Sequence, residues 1–220
     1  MTAGQSEGKT AGIITAAGLS SRMGHFKPLL PFAGSTLIET TVAKLRQAGA
    51  IPVIVVVGFR ADEIKARFKK RQDMILVNND NYQNGDMLES VKIGLSKASD
   101  CDAAYVVPGD MPVIAADTFR KVRNCMEATG AKVVFPTMEG MRKHPPLIHR
   151  ACFSAVENYR GEGGLRAALE QFSRETACIP VDDIGCTLDA DTWEDYQGLL
   201  AYQEQANFRV QKSNRKTSLS

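Results

Sequence analysis

Short apolar runs alternate along this chain with longer segments in which apolar residues return every three or four positions. The runs at 12–15, 53–57, 74–77, 103–107 and 132–135 have strand length and are rich in β-branched residues. The 3.6-residue spacing predicts helices over 37–48, 62–70, 87–98 and 116–128, then shorter ones over 148–158 and 164–172, and a closing helix over 192–203. Asp86 and Asp191 are natural caps for the third and last of these, and Ala115 is a weaker one for the fourth. Strand and helix in alternation predict an α/β fold with a mostly parallel central sheet and helices on both faces. In such open sheets ligands bind beyond the carboxyl ends of the strands. The segments after residues 15 and 107 fall there, so the chemistry is sought in those two loops.

The first loop follows Ile13-Ile14-Thr15 and reads AAGLSSRMGHFKPLL. Ala16, Ala17 and Gly18 keep the backbone bare enough for close approach to a ligand, while Arg22 and Lys27 supply a planar fork of donors and a compact point charge. That combination suits a triphosphate. Two better-known glycine loops are excluded. Five residues separate Gly18 from Gly24 where a Walker A loop has four, and no Lys-Ser or Lys-Thr follows, which rules that loop out; G-x-G-x-x-G is absent as well. The second loop, Pro108-Gly109-Asp110-Met111-Pro112, holds one carboxylate at a strand tip, either as ordinary turn chemistry or as a magnesium ligand beside substrate phosphates. Farther on, Asp189-Ala190-Asp191-Thr192 offers two more carboxylates, and the choice between Asp189 and Asp191 as metal contact stays open.

Composition narrows the partners. The 220 residues suit one domain, placed at 11–205, with a polar flexible start over 1–10 and a basic, disordered tail over 206–220. A net charge of +2 with interspersed signs argues against nucleic acid, and no apolar run approaches membrane-spanning length. Five cysteines without a C-x-x-C pair indicate neither a disulfide framework nor structural zinc, and together with the lack of a secretory h-region suggest a reducing cytoplasm.

Ala16-Ala17-Gly18-x-Ser20-x-Arg22-Met23-Gly24-x-x-Lys27, continued by Pro28-Leu29-Leu30-Pro31-Phe32, resembles the signature of the MobA-like nucleotidyltransferases, and within them the molybdenum cofactor cytidylyltransferases. The resemblance extends to about Tyr196. It implies a three-layer Rossmann-like nucleotidyltransferase fold, CTP as donor, a molybdopterin-type cofactor as acceptor, Mg2+ on Asp110 with Asp191 and Asp189, and catalytic roles for Arg22, Lys27 and Asp110. Gly58, Asn79, Gly85, Ser90 and Gly109 match positions around the nucleotide, together with the first loop. His144, Pro145, Gly164 and Arg166 match positions around the acceptor. Lys143 stands where that family usually has glycine, which leaves the acceptor's identity open. A molybdoenzyme or a cofactor chaperone is the implied protein partner. Two other readings remain: a cytidylyl- or uridylyltransferase for a sugar, polyol or choline phosphate, and a non-catalytic nucleotide-binding chaperone.

Overall fold

The computed structural model describes residues 8–19, 23–69 and 73–217, with 209–217 as backbone only. The strands are β1 (Thr10–Ala16), β2 (Pro31–Phe32), β3 (Ser35–Thr36), β4 (Val53–Val57), β5 (Met74–Asn78), β6 (Ala103–Pro108), β7 (Val133–Met138), β8 (Met141–Arg142), β9 (Leu147–His149) and β10 (Thr176–Pro180). The α-helices are α1 (Leu37–Gln47), α2 (Ala61–Phe68), α3 (Met87–Ser96), α4 (Ala116–Thr129), α5 (Phe153–Asn158), α6 (Gly164–Glu170) and α7 (Trp193–Thr217). The central sheet runs β10-β7-β9-β6-β1-β4-β5, with β8 attached to β7, and β2 and β3 form a separate hairpin. Neighbours are parallel except at β8 and β9, so the expected mostly parallel sheet is present.

Period-2 alternation sorts the central strands into two cores. Ile14, Val53, Val55, Val57, Tyr105 and Val107 belong to one apolar cluster, and Ile13, Ile54, Val56, Ala104 and Val106 to the other. Residues of α1, α2 and α4 close the first, and residues of α3, α5 and α6 close the second, which makes three layers. The α3–β1 approach requires glycine: a Cβ at Gly94 would lie 2.4 Å from Ile13 Cγ2.

Several expected boundaries moved. Residues 148–149, read as the start of a helix, lie in β9, and the helix itself starts at Phe153. Leu147 and Ile148 point into opposite cores, a two-faced burial that a strand gives and a short apolar run cannot announce. The edge strand β10 carries only a half-buried pattern and had no strand signal. Thr10, expected in the flexible start, is buried in β1, and Lys9 N donates to Asp102 Oδ2 at 2.9 Å. Residues 1–7, Lys70 and 218–220 lie outside the described residues. The closing helix passes Gln203 and runs to Thr217, through a segment expected to be disordered. Residues 201–217 contain no Gly or Pro and many good helix formers, so nothing local stops the helix.

The cap of α4 is supplied from far away. Ala115 has no side chain to offer, and Asp183 Oδ2 accepts from Ala115 N at 2.8 Å and from Thr118 Oγ1 at 2.6 Å. Asp183→Ala is therefore expected to cost about 1–2 kcal/mol of stability, the usual worth of a helix cap, read as a lowered urea midpoint at unchanged slope.

Candidate functional site

β1 and β6 pair in parallel, with Thr15 opposite Pro108, so their following loops leave the sheet side by side. Gly109 N donates to Thr15 O at 3.0 Å and fastens the second loop to the first strand. A Cβ at Gly109 would meet Ala16 Cβ at 3.3 Å, so the bare residue permits this closeness.

The third contributor arrives through an aromatic and apolar contact. Trp193 and Tyr196, on the first turn of α7, pack against each other, Trp193 also lies 5.5 Å from the His25 ring, and the Tyr196 hydroxyl donates to Pro31 O at 2.6 Å. Met23, Phe32, Leu37, Ala190, Tyr196 and Leu199 share one buried cluster. This packing carries the 189–195 segment onto the loop that holds Lys27.

Lys27 Nζ then lies 2.7 Å from Asp191 Oδ1 and 3.4 Å from Asp110 Oδ2, across sequence separations of 164 and 83 residues. The two carboxylate oxygens are no more than about 6.1 Å apart, the two Nζ distances laid end to end. That is within the ~8 Å that a shared hydrated magnesium allows. Lys27 is 12% exposed and Asp110 19%, against 41% for Asp191, so the triad is shielded on the Asp110 side and open on the other.

By its position before Thr192, Asp191 is expected as a helix cap as well as a metal contact. Thr192 takes the capping role: its Oγ1 accepts from Asp195 N at 3.2 Å, while Asp195 Oδ2 accepts from Thr192 N at 2.8 Å. The Asp191 carboxylate turns to Lys27 instead. Asp189 stands close enough to feel the same acids: its carboxyl is raised above the ordinary aspartate range, first by burial and then by the charges of Asp110, Asp191 and Asp195, with Lys27 opposing. Among the described residues no group of three or more His, Cys, Asp or Glu side chains forms a metal site. A cation here would have two or three carboxylates and would need ligand oxygens to complete its shell, which is how magnesium is usually held.

Two cavities meet at this point. The first, about 350 Å³, is lined by Ala16, Ala17, Gly18, Lys27, Asp110 and Asp191, together with Asn79, Gly85, Ser90 and Gly109. Thr15, Pro28, Tyr82, Asp86, Met87 and Pro108 also reach it and were not among the candidate residues. Their signal was weak, since each has an ordinary structural use; Asp86 caps α3 by accepting from Glu89 N at 3.1 Å. Asn79 is buried and its amide is occupied internally, Nδ2 donating to Ser90 Oγ at 3.0 Å and Oδ1 accepting from Asn81 N at 3.0 Å. These two residues shape the loop over the cavity before they read any ligand. Gly58 does not line it: a Cβ there would lie 2.6 Å from Tyr82 Cβ and 2.8 Å from Ala17 O, so its smallness seats Tyr82 against the first loop. Ser20 and Arg22 lie outside the described residues.

The second cavity, about 910 Å³, shares Asp86, Met87 and Pro108 with the first. His144, Gly164, Arg166 and Asp189 line it, as does Lys143, whereas Pro145 does not reach it and Pro146 does. Met111, Phe135, Leu165 and Leu169 give it an apolar side. Burial holds the His144 imidazole below its usual pKa in spite of a hydrogen bond to the Val106 backbone, and its Nδ1 is buried without a partner among the described residues. Gly163 and Gly164 adopt φ of +88° and +63°, which admits the turn into α6. With only seven residues in α6, the charge on that wall comes from Arg166 and Lys143 more than from a helix dipole.

Comparison with known proteins gives the chain a family. Residues 12–177 match the model of the MobA-like NTP transferase domain. The molybdenum cofactor cytidylyltransferase of Escherichia coli K12 is 30% identical over 84% of this chain and 92% of its own length. Nicotine blue oxidoreductase of Paenarthrobacter nicotinovorans is 28% identical over 86% of this chain and 95% of its own. Among solved structures, Rv0371c of Mycobacterium tuberculosis H37Rv superposes with a TM-score of 0.77 at 24% identity, covering 90% of this chain and all of that one, and has also been solved as a manganese complex. The match spans both loops that build the first cavity, and on this ground the chain belongs to the MobA-like NTP transferase family.

Proposed function

We propose that this protein moves a CMP group from CTP to the phosphate of a molybdopterin-type cofactor and releases pyrophosphate. The observation that carries the reading is the Lys27–Asp110–Asp191 triad at the bare Ala16–Gly18 backbone, opening onto a second, larger cavity with its own cations. CTP and the molybdopterin acceptor are taken from the cytidylyltransferase relative, whose similarity covers nearly all of both chains.

The acceptor brings its own nucleophile, because an ionised phosphate oxygen needs no protein base. The chain's task is alignment and charge. Ala16, Ala17 and Gly18 let the triphosphate approach the backbone, Lys27 offsets charge on the leaving pyrophosphate, and Asp110 and Asp191 would hold a magnesium ion. That ion, when bound, would neutralise phosphate charge and orient the α-phosphate. The second cavity positions the acceptor phosphate at the junction near Pro108 and Asp86. Nothing in this arrangement calls for a covalent enzyme intermediate.

Pyrophosphate release from CTP, GTP and UTP, with molybdopterin, sugar phosphates and choline phosphate as acceptors, tests the reading. Release dependent on both CTP and molybdopterin supports it; CTP binding without any product would favour a nucleotide-binding chaperone. Lys143 gives a sharper check. Its ammonium has no ion-pair partner among the described residues, while the adjacent Arg142 is already paired with Glu170 at 3.0 Å. Lys143→Gly is expected to raise the acceptor KM by about tenfold or more, the worth of one charge-assisted contact, and to leave the CTP KM unchanged.

A further inference from the structure

Lys27 is assigned above to the triphosphate, yet its ammonium is engaged with the two acids that would hold the metal. It lies 2.7 Å from one and 3.4 Å from the other, largely shielded from water. We infer that Lys27 serves the Asp110–Asp191 pair as a counter-cation that a metal must displace, so that divalent metal and nucleotide enter this site as one ligand. The inference rests on the assignment of those two carboxylates to the metal.

The physical argument is one of charge exchange. Two carboxylates held within about 6.1 Å repel each other, and Lys27 relieves that repulsion when no ligand is bound. A divalent ion arriving alone would have to share the pair with an ammonium in contact with both. The ammonium cannot retreat into water at low cost, because its side chain is only 12% exposed. A triphosphate changes this, for it offers Lys27 new anionic partners in the same cavity at the moment the metal takes over the carboxylates. Each charge keeps a partner throughout the exchange. Metal and nucleotide affinities are then coupled, and by linkage each raises the other.

The same picture gives Lys27 two consecutive positions, on the acids at rest and on the phosphates when loaded. It also predicts that removing its charge strengthens metal binding in the empty site, the opposite of what a simple loss of site integrity would do.

The experiment is a Mn2+ titration followed by the electron paramagnetic resonance of the unbound ion, without nucleotide. Wild-type protein is expected to bind no tighter than about 10⁻⁴ M, the weak end of carboxylate sites. Lys27→Gln is expected to bind about tenfold tighter or more, within the usual range of coupling, while Lys27→Arg stays near wild type. Lys143→Gln, which removes a cation from the neighbouring cavity, should leave Mn2+ affinity unchanged. Wild-type binding at about 10⁻⁵ M or tighter overturns the inference whatever the variants do. So does a Lys27→Gln affinity equal to or below wild type, or a tightened affinity that survives adding Asp110→Asn. Tightening in Lys27→Gln together with no pyrophosphate release by the wild type from any triphosphate would keep the exchange and remove the transferase reading.

Discussion

Asp110→Ala is expected to lower the rate of pyrophosphate release by about 10²–10³-fold, the usual penalty for losing one preorganised charge contact in an active site. The substituted side chain sits at the tip of β6, where Pro108 and the Gly109 N to Thr15 O bond hold the backbone whatever residue 110 is. The one side-chain partner of the Asp110 carboxylate among the described residues is Lys27, at 3.4 Å. The fold therefore has little to lose, and the variant's denaturation midpoint should stay near that of the wild type. If the acid acts on a metal that neutralises the reacting phosphates, the loss falls on kcat more than on the KM of CTP. Single-turnover rates with saturating CTP, magnesium and acceptor measure it. Turnover within a few-fold of wild type would remove Asp110 from the mechanism and the proposed metal with it.

Lys27→Ala should produce a loss of similar size, about 10²–10³-fold, for a different reason. Here the missing charge is on the phosphate side, so the expected signature includes weaker binding of pyrophosphate as well as a lower kcat. A charged but differently shaped Lys27→Arg should recover part of the activity if the role is charge alone, and little of it if a compact ammonium is needed between the two acids. The double variant Lys27→Ala/Asp110→Ala is the informative partner of both. Residues that touch one another and serve one step are not additive, so its loss should fall well short of the product of the single losses. Multiplicative losses would mean that the two act independently, which their contact in the structure argues against.

Most of the architecture could be read along the chain because it is written in short-range pattern. The runs that became β1, β4, β5, β6 and β7 are β-branched and bounded by turn residues, and their alternation assigns each side chain to one of the two cores. The edge strand β10 escaped because an edge has no need of a continuous apolar run. The antiparallel β9 escaped because three residues cannot display a period. The helical extent of α7 escaped because a polar composition predicts disorder, although no breaker interrupts the segment.

At the candidate site the division is sharper. The chemistry of the first loop, with its bare Ala16–Gly18 and its Lys27, and the lone carboxylate of Asp110 at a strand tip, are local properties, and residue type and spacing alone established them. Which acid faces Lys27 was not local. By pattern Asp191 reads as the cap of the last helix and Asp189 as the freer acid; in the structure Thr192 and Asp195 close that cap between themselves, Tyr196 anchors the segment to Pro31, and the Asp191 carboxylate faces Lys27. The same holds for Asp183, which caps a helix 68 residues away from it, and for Gly58, which proved to support Tyr82. Backbone periodicity encodes elements because it depends on neighbours a few residues apart. Contacts across 83 and 164 residues depend on how finished layers pack, and that packing is what brought one lysine and two aspartates into a single cluster.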